Sequence, residues 1–366
     1  MSSRTTNVLN TELKAPTMSQ FLQLHLLTAY PPSNLNRDDT GRPKSATFGG
    51  VQRLRVSSQS LKRAWRESSV FATDLADHLG VRTQRLGEEI QQHLVERGVP
   101  AAKALSTARQ VAEHFGKLKP EKDPNAARTE QLAFVSPEER AQAIAIAEQI
   151  AAGETKTLTA TDLLRHTDTA ADIAMFGRML ADNPEFGREA AVQVAHAITT
   201  HRVTVEDDFY TAVDDLKTAT EDAGAGFMGE LGFGSGVFYL YACVDLALLT
   251  RNLGGDSDLA ATACAALASA AATVSPSGKQ ASFAALARAH YVLAERGTAQ
   301  PRTLAGAFLR PVSGDDLATS SIGALRTWRD NLDRAYGPGA SDSFEIDVAA
   351  GHGTLADLRS FCGRSA

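Results

Sequence analysis

Residues 20–30 read QFLQLHLLTAY, with Leu22, Leu24 and Leu26 at every second position and Gln23 and His25 between them. A period of two predicts a strand with the leucines on one sheet face and His25 on the other. Pro31-Pro32 is expected to end it, because proline cannot donate to a ladder. A loop carrying Arg37, Arg42 and Lys44 follows, and Gly49-Gly50 punctuates it. Residues 52–56 read as a short strand. Ser57 or Ser58 caps the next helix, where Leu61 and Trp65, four apart, share one apolar stripe. On that helix Lys62, Arg63 and Arg66 point away from the stripe.

From 67 to about 183 the pattern is almost wholly helical. LGEEIQQHLVERG and AAKALSTARQVAEHFG place Ile, Leu, Val and Phe at helical spacing, and Ser136-Pro137-Glu138-Glu139 is a capping box before an Ala-rich helix that runs to Gly153. Between them GKLKPEKDPNAAR is a polar, proline-containing loop with Lys117, Lys119 and Lys122. Strand periodicity returns at 172–179 and at 191–201, where Val192, Val194, His196 and Ile198 alternate. GFGSG at 232–236 precedes the strand VFYLYACVDL, and its spacing matches neither a dinucleotide nor a Walker loop, so it reads as a hinge or a hairpin base. Residues 256–273 predict an amphipathic Ala-rich helix, 304–309 a final strand, 316–336 a helix closed by Gly337, and 355–361 a short terminal helix. The resulting order, with strand–helix–strand halves around one antiparallel sheet, predicts an α+β, ferredoxin-like fold of the RRM type. The aromatic signature of RNA-recognition motifs is missing, so contact through stacking on the sheet face is not expected.

Composition changes this picture in one place. The 366-residue chain is acidic overall, with 43 Asp and Glu against 37 Lys and Arg. Yet from Thr40 to Arg66 there are seven Lys or Arg and no acidic residue. Positive charge segregated within an acidic chain points to a polyanionic ligand. The hydroxyls and amides at the start of the 58–66 helix read as a phosphate site beside those cations. Between Glu206 and Glu230 the reverse holds, with eight acidic residues and one Lys around Gly224, Gly226 and Gly229. That segment reads as an exposed excursion whose Phe209, Tyr210, Phe227 and Met228 insert into a partner subunit or between nucleobases.

Three cysteines, Cys243, Cys264 and Cys362, give neither a CxxC pair nor an even disulfide framework, and a reducing, cytoplasmic setting is expected. The nine histidines form no zinc-ligand cluster, and no metal or cofactor is expected. No apolar run reaches membrane-spanning length. Residues 1–17 read as a disordered extension. A competing reading is a metal-dependent endoribonuclease, with Asp38 and Asp39 holding Mg²⁺ and His196 or His201 as base. A third is a protein scaffold that binds no nucleic acid, against which the basic 40–66 segment counts.

LNRDD at 35–39, FGG at 48–50, RVSSQSLKRAWR at 55–66, HAITTH at 196–201, DDFYTAVDDL at 207–216, SGVFYLYA at 235–242 and NLGG at 252–255 resemble the Cas-seven (CasC) family of the type I-E CRISPR system. The blocks keep the family order from Met18 to Gly255. The resemblance implies a right-hand shape. Residues 18–66, 185–205 and 232–366 would form an RRM-like palm, 67–184 helical fingers, and 206–231 a β-hairpin thumb. It implies a non-enzymatic, RNA-binding subunit that polymerises head-to-tail along a CRISPR guide RNA (crRNA). The assembly, the antiviral surveillance complex Cascade, pairs its guide with target DNA and recruits a separate helicase-nuclease. By the same resemblance Arg37, Lys44, Arg55, Gln59, Lys62, Arg63 and Arg66 would grip the guide backbone. Met179 would lie against bases near a kink. Tyr210, Thr211 and Met228 would press between nucleotides, and Lys279-Gln280 would lie near the RNA. Lys117, Lys119 and Lys122 would face target DNA. Val51-Gln52 and Glu67 depart from the pattern, which carries basic residues there.

Overall fold

A computed structural model describes residues 20–154, 157–212 and 227–365. The expected extension at 1–17 and the 213–226 part of the excursion lie outside these residues. The chain is α+β and is built on an antiparallel sheet. Strand β1 (Phe21–Ser33) is central, β2 (Ser45–Phe48) and β3 (Val51–Val56) form a hairpin, and α1 (Ser58–Arg66) and α2 (Ser69–Asp74) follow. The inserted lobe holds β4 (Val81–Thr83), α3 (Leu86–Glu96), α4 (Ala101–Ala112), β5 (Ala133–Val135), α5 (Pro137–Ala152) and α6 (Ala160–Leu163). Then come α7 (Ala171–Phe176), β6 (Val192–Val194), β7 (Ala197–Thr199), β8 (Glu206–Ala212) and β9 (Phe227–Asp245). The last part holds α8 (Leu246–Asn252), α9 (Ser257–Thr273), α10 (Gln280–Phe283), β10 (Tyr291–Gly297), α11 (Leu317–Tyr336), β11 (Asp342–Asp347) and α12 (Leu355–Cys362).

The sheet runs β11-β10-β1-β9-β7-β3-β2, with β6 and β8 also paired to β9. The period-two pattern of β1 decides its two faces. Leu22, Leu24 and Leu26 enter a core roofed by α1, α2, α7, α8, α9 and α12, whereas Leu27 enters a second core beneath α11. His25 lies fully buried on the α11 side, where its Nδ1 meets the Tyr239 hydroxyl at 2.9 Å. The inserted lobe closes its own core around Ile90, Leu94, Val111, Phe115, Ile146 and Leu163.

Several expectations are corrected. Pro31 and Pro32 do not end β1, which continues to Ser33. Pairing to β10 stops at Leu27, so that edge needs no further donors, and a bulge between Tyr30 and Ser33 absorbs the prolines. The expected loop before Gly49-Gly50 contains β2. Gly49 and Gly50 both have positive φ, +61° and +75°, which is what a two-residue hairpin turn of the primed kind demands. Inside the stretch read as almost wholly helical lies a small sheet, β4 with β5. Residues 171–176 are helical, and the expected strand at 191–201 splits in two. After the break Ala197 and Thr199 face inward and His196 points outward, so the expected alternation fails. Residues 305–308 form a 3₁₀ turn rather than the expected strand at 304–309, while β10 and β11 have no counterpart among the expected elements. Helix α9 is not amphipathic. Ala263, Cys264, Ala266, Leu267, Ala270 and Ala271 are all buried, because the helix is sandwiched between β1, α2 and α12.

Of the two readings of the glycine run at 232–236, the hairpin base holds: Gly232 lies opposite Asp207 and Phe233 opposite Glu206 at the foot of the β8–β9 hairpin. The run lies within β9, an unbroken 19-residue strand. A Cβ on Gly234 would come within 2.8 Å of Leu54, and one on Gly236 within 2.7 Å of His201. The glycines let β3 and the His201 segment lie flat on β9.

Candidate nucleic-acid interface

The basic loop at 35–44 is pinned on three sides. Asn34 Nδ2 donates to the Gly41 and Gly232 carbonyls, each at 2.9 Å. Asn36 Oδ1 accepts from the Ser57 amide at 2.9 Å, tying the loop to the start of α1. Arg42 pairs with Asp207 at 2.9 Å and Glu230 at 3.5 Å, clipping the loop to the acidic hairpin. Arg37 stands exposed, and Lys44 and Arg55 lie half-buried beside His196.

The start of α1 forms as the sequence predicts but not as the expected phosphate cradle. Ser57 is the cap, its Oγ accepting from the Ser60 amide at 3.3 Å. The Ser58 amide donates to His196 Nδ1 at 2.9 Å. The donors thought free for a phosphate are therefore largely taken, and the cations must carry any anion binding. Burial, with Arg55 and Lys44 nearby, lowers the His196 pKa and keeps the ring a neutral acceptor.

Of the residues of the nuclease reading, Asp38, His196 and His201 are engaged, whereas Asp39 stands exposed. Asp38 Oδ1 accepts from the Thr40 hydroxyl at 2.7 Å and from the Thr40 and Arg42 amides at 2.9 and 3.0 Å, holding its own turn. The Thr40 hydroxyl leads in pulling the Asp38 pKa down. His201 is buried, and its Nε2 accepts from the Val237 amide at 3.1 Å. Among the described residues no group of three or more His, Cys, Asp or Glu is placed to hold a metal ion.

Beyond α1 lies an open groove of about 720 Å³ between this helix and the β4–β5 sheet. Gln59, Lys62, Arg63 and Arg66 line one wall, and Val81, Arg82, Leu132 and Phe134 the other. The cations are not equivalent. Arg66 pairs with buried Asp172 at 2.9 Å and lies 4.3 Å from the Phe134 ring centre. Arg63 pairs with Glu67 at 2.9 Å on the surface. Lys62 rests over Phe176 and Arg82 over Phe134, at 5.6 and 5.1 Å, with no carboxylate at ion-pair distance among the described residues. Arg82 is absent from the sequence-derived set. Its only local signal is the β-branched pair Val81 and Thr83 flanking it, in a stretch whose surroundings are helical.

Met179 is 87% exposed and borders a shallow depression shared with Lys117 and Leu132. Leu132 also lines the α1 groove, so Met179 and Lys117 adjoin it. Lys117 pairs with Glu130 at 3.0 Å; Lys119 is half-buried and Lys122 exposed on the same loop. On the β8–β9 hairpin, Thr211 sits opposite Met228, and Tyr210 opposite Gly229. Opposed residues share a face and neighbours do not, so Tyr210 projects on the other side from Thr211 and Met228. The three cannot enter one gap together. Phe209, unassigned by the resemblance, shares the Met228 face, and each is 71% exposed.

Lys279 adopts a left-handed conformation, φ 51°, unusual for a residue with a Cβ. Its neighbour Gly278 allows the close approach to the basic loop, since a Cβ there would fall 2.2 Å from the Leu35 carbonyl. Gln280 Nε2 donates to the Pro276 and Ala285 carbonyls at 2.7 and 3.3 Å, so its amide shapes this loop. Two subsites thus result. One joins the basic loop, the hairpin base and Lys279; the other joins α1 to the inserted lobe.

A family model described as CT1975-like protein matches residues 22–359. The chain belongs to that family. Among solved structures, this CT1975-like chain is similar to one titled "CRISPR RNA-guided surveillance complex, pre-nicking", with 34% identity and a TM-score of 0.82. The match covers 93% of this chain and 99% of that one. A chain titled "CRISPR RNA-guided surveillance complex" matches over the same shares with 29% identity and a TM-score of 0.70. A comparison with curated proteins finds no match. The CRISPR resemblance of the sequence blocks is borne out at the level of a surveillance-complex subunit. Among the described residues no helix is long and apolar enough to cross a membrane.

Proposed function

We propose that this chain is the guide-RNA-binding backbone subunit of a type I-E CRISPR surveillance complex. Copies assemble head-to-tail along the crRNA and hold it for pairing with target DNA. The observation that carries this reading is the similarity that takes in 99% of a surveillance-complex chain at 34% identity. A head-to-tail contact does not close on itself, so a helical filament is its natural product, limited in length by the RNA. The protein would read backbone and shape, leaving bases free to pair. The sheet order β10-β1-β9-β7 supports an RRM-like palm, because a split βαβ pair generates this arrangement. In this reading residues 67–184 serve as fingers and 206–231 as thumb.

The subunit acts in the cytoplasm beside other Cascade subunits and leaves cleavage to a separately recruited helicase-nuclease. The turn-holding bonds of Asp38 weigh against the endoribonuclease alternative. Purification decides first: the intact protein should carry RNA and show a raised absorbance ratio at 260 over 280 nm. Labelled guide RNA with Mg²⁺ should then be protected without new fragments. Nucleic-acid-free filaments, or cleavage lost in Asp38→Asn, would overturn the reading.

A further inference from the structure

Lys62 and Arg82 come from different lobes. Lys62 stands on α1, whose Leu61 and Trp65 anchor it in the main core, and Arg82 on β4, paired to β5 in the inserted lobe. Asp172 ties the two together, accepting from Arg66 of α1 and, at 2.7 Å, from the Gly80 amide just before β4. That carboxylate pairs with Arg66 and acts on Arg82 only at longer range, so among the described residues neither outer cation has a carboxylate at ion-pair distance in the open groove. Each lies over an aromatic ring, whose face attracts the cation and favours one orientation.

We propose that Lys62 and Arg82 bracket a backbone phosphate of the guide RNA from opposite walls of this groove, so that bound RNA bridges the two lobes. The inference rests on the guide-binding reading and adds to it a contact that sequence resemblance did not assign. Like charges held near each other in a partly dry cleft repel, and an anion between them relieves the repulsion. The Lys62 pKa shows the strain: burial lowers it first and Arg82 lowers it further. The Arg82 pKa is lowered by burial and then by Arg66, with Asp172 opposing both. Because the rings are already covered by cations, the groove favours phosphate over a stacked base.

The test is salt-dependent fluorescence anisotropy of the full chain with a mixed-sequence single-stranded RNA. Lys62→Ala and Arg82→Ala should each flatten the slope of log K on log salt by about 0.7, the value for one single-strand phosphate contact. Arg82→Lys should keep the slope. Since Arg82 is exposed, thermal unfolding of Arg82→Ala should match the parent. If Arg82→Ala binds with the parent's affinity and slope while Lys62→Ala is weakened, the bracket is overturned and guide binding stands. If the parent chain itself binds no RNA, both fall.

Discussion

Two arginine-rich regions lie within one chain and do opposite things. Behind the groove, Arg178 pairs with Glu139 and Arg188 with Asp168, all buried. Arg178 also donates to the carbonyls of Phe134, Arg165 and Phe186, and Arg188 to those of Arg165 and Asn252. These guanidiniums replace missing secondary structure where irregular chain passes through the interior. In the groove, Lys62 and Arg82 stand without carboxylate partners at ion-pair distance among the described residues. Residue type does not separate the two sets; the placement of acids does. The basic stretch at 40–66 contains both kinds, since Arg53 is buried and donates to the carbonyls of Phe48, Thr199 and Phe308.

The contrast can be broken from the buried side first. Arg178→Ala leaves Glu139 buried without its partner and should destabilise the protein by about 3–5 kcal/mol in urea unfolding. A loss below about 1 kcal/mol would place Arg178 with the surface cations instead. Arg53→Ala should cost about 2–3 kcal/mol, by orphaning carbonyls that a charged donor satisfied. RNA affinity measured on its folded fraction should be unchanged; a flattened salt slope would mean that Arg53 reaches phosphate.

A pH effect sharpens the comparison at the loop–helix junction. In the fold His196 must accept from the Ser58 amide, and its pKa is lowered. The unfolded ring titrates near the ordinary value of 6.5. As pH falls through that value the unfolded state takes up a proton that the native ring resists, so stability present at higher pH is lost. His196→Gln should lose less than the parent between about pH 7.5 and 5.5 in thermal unfolding; equal losses would assign the effect to other histidines. The smallest effect is expected at Glu67. Glu67→Gln frees Arg63 and should steepen the salt slope of RNA binding by at most about 0.7, with no change if Arg63 faces away from the RNA.

The sequence carried β1, the Ser57 cap, the Leu61–Trp65 stripe and the capping box of α5 because each rests on near neighbours. It did not carry β10, β11 or the β4–β5 pair. Their ladders join residues far apart in the chain, and β10 is buried on both faces, which removes alternation. For the site, local charge gave the α1 cations, but pairing with distant acids was invisible. Asp172 lies 106 residues from Arg66. Arg82 is hidden in the sequence for the same reason, since only the folded chain sets it across from Lys62.

One consequence belongs to β9. Its first residues stand in the exposed hairpin and its last, through Val244, lie in the buried ladder against Leu22. Because β9 is one unbroken strand, a contact made at Met228 bears on the same strand that pairs with β1 in the buried ladder.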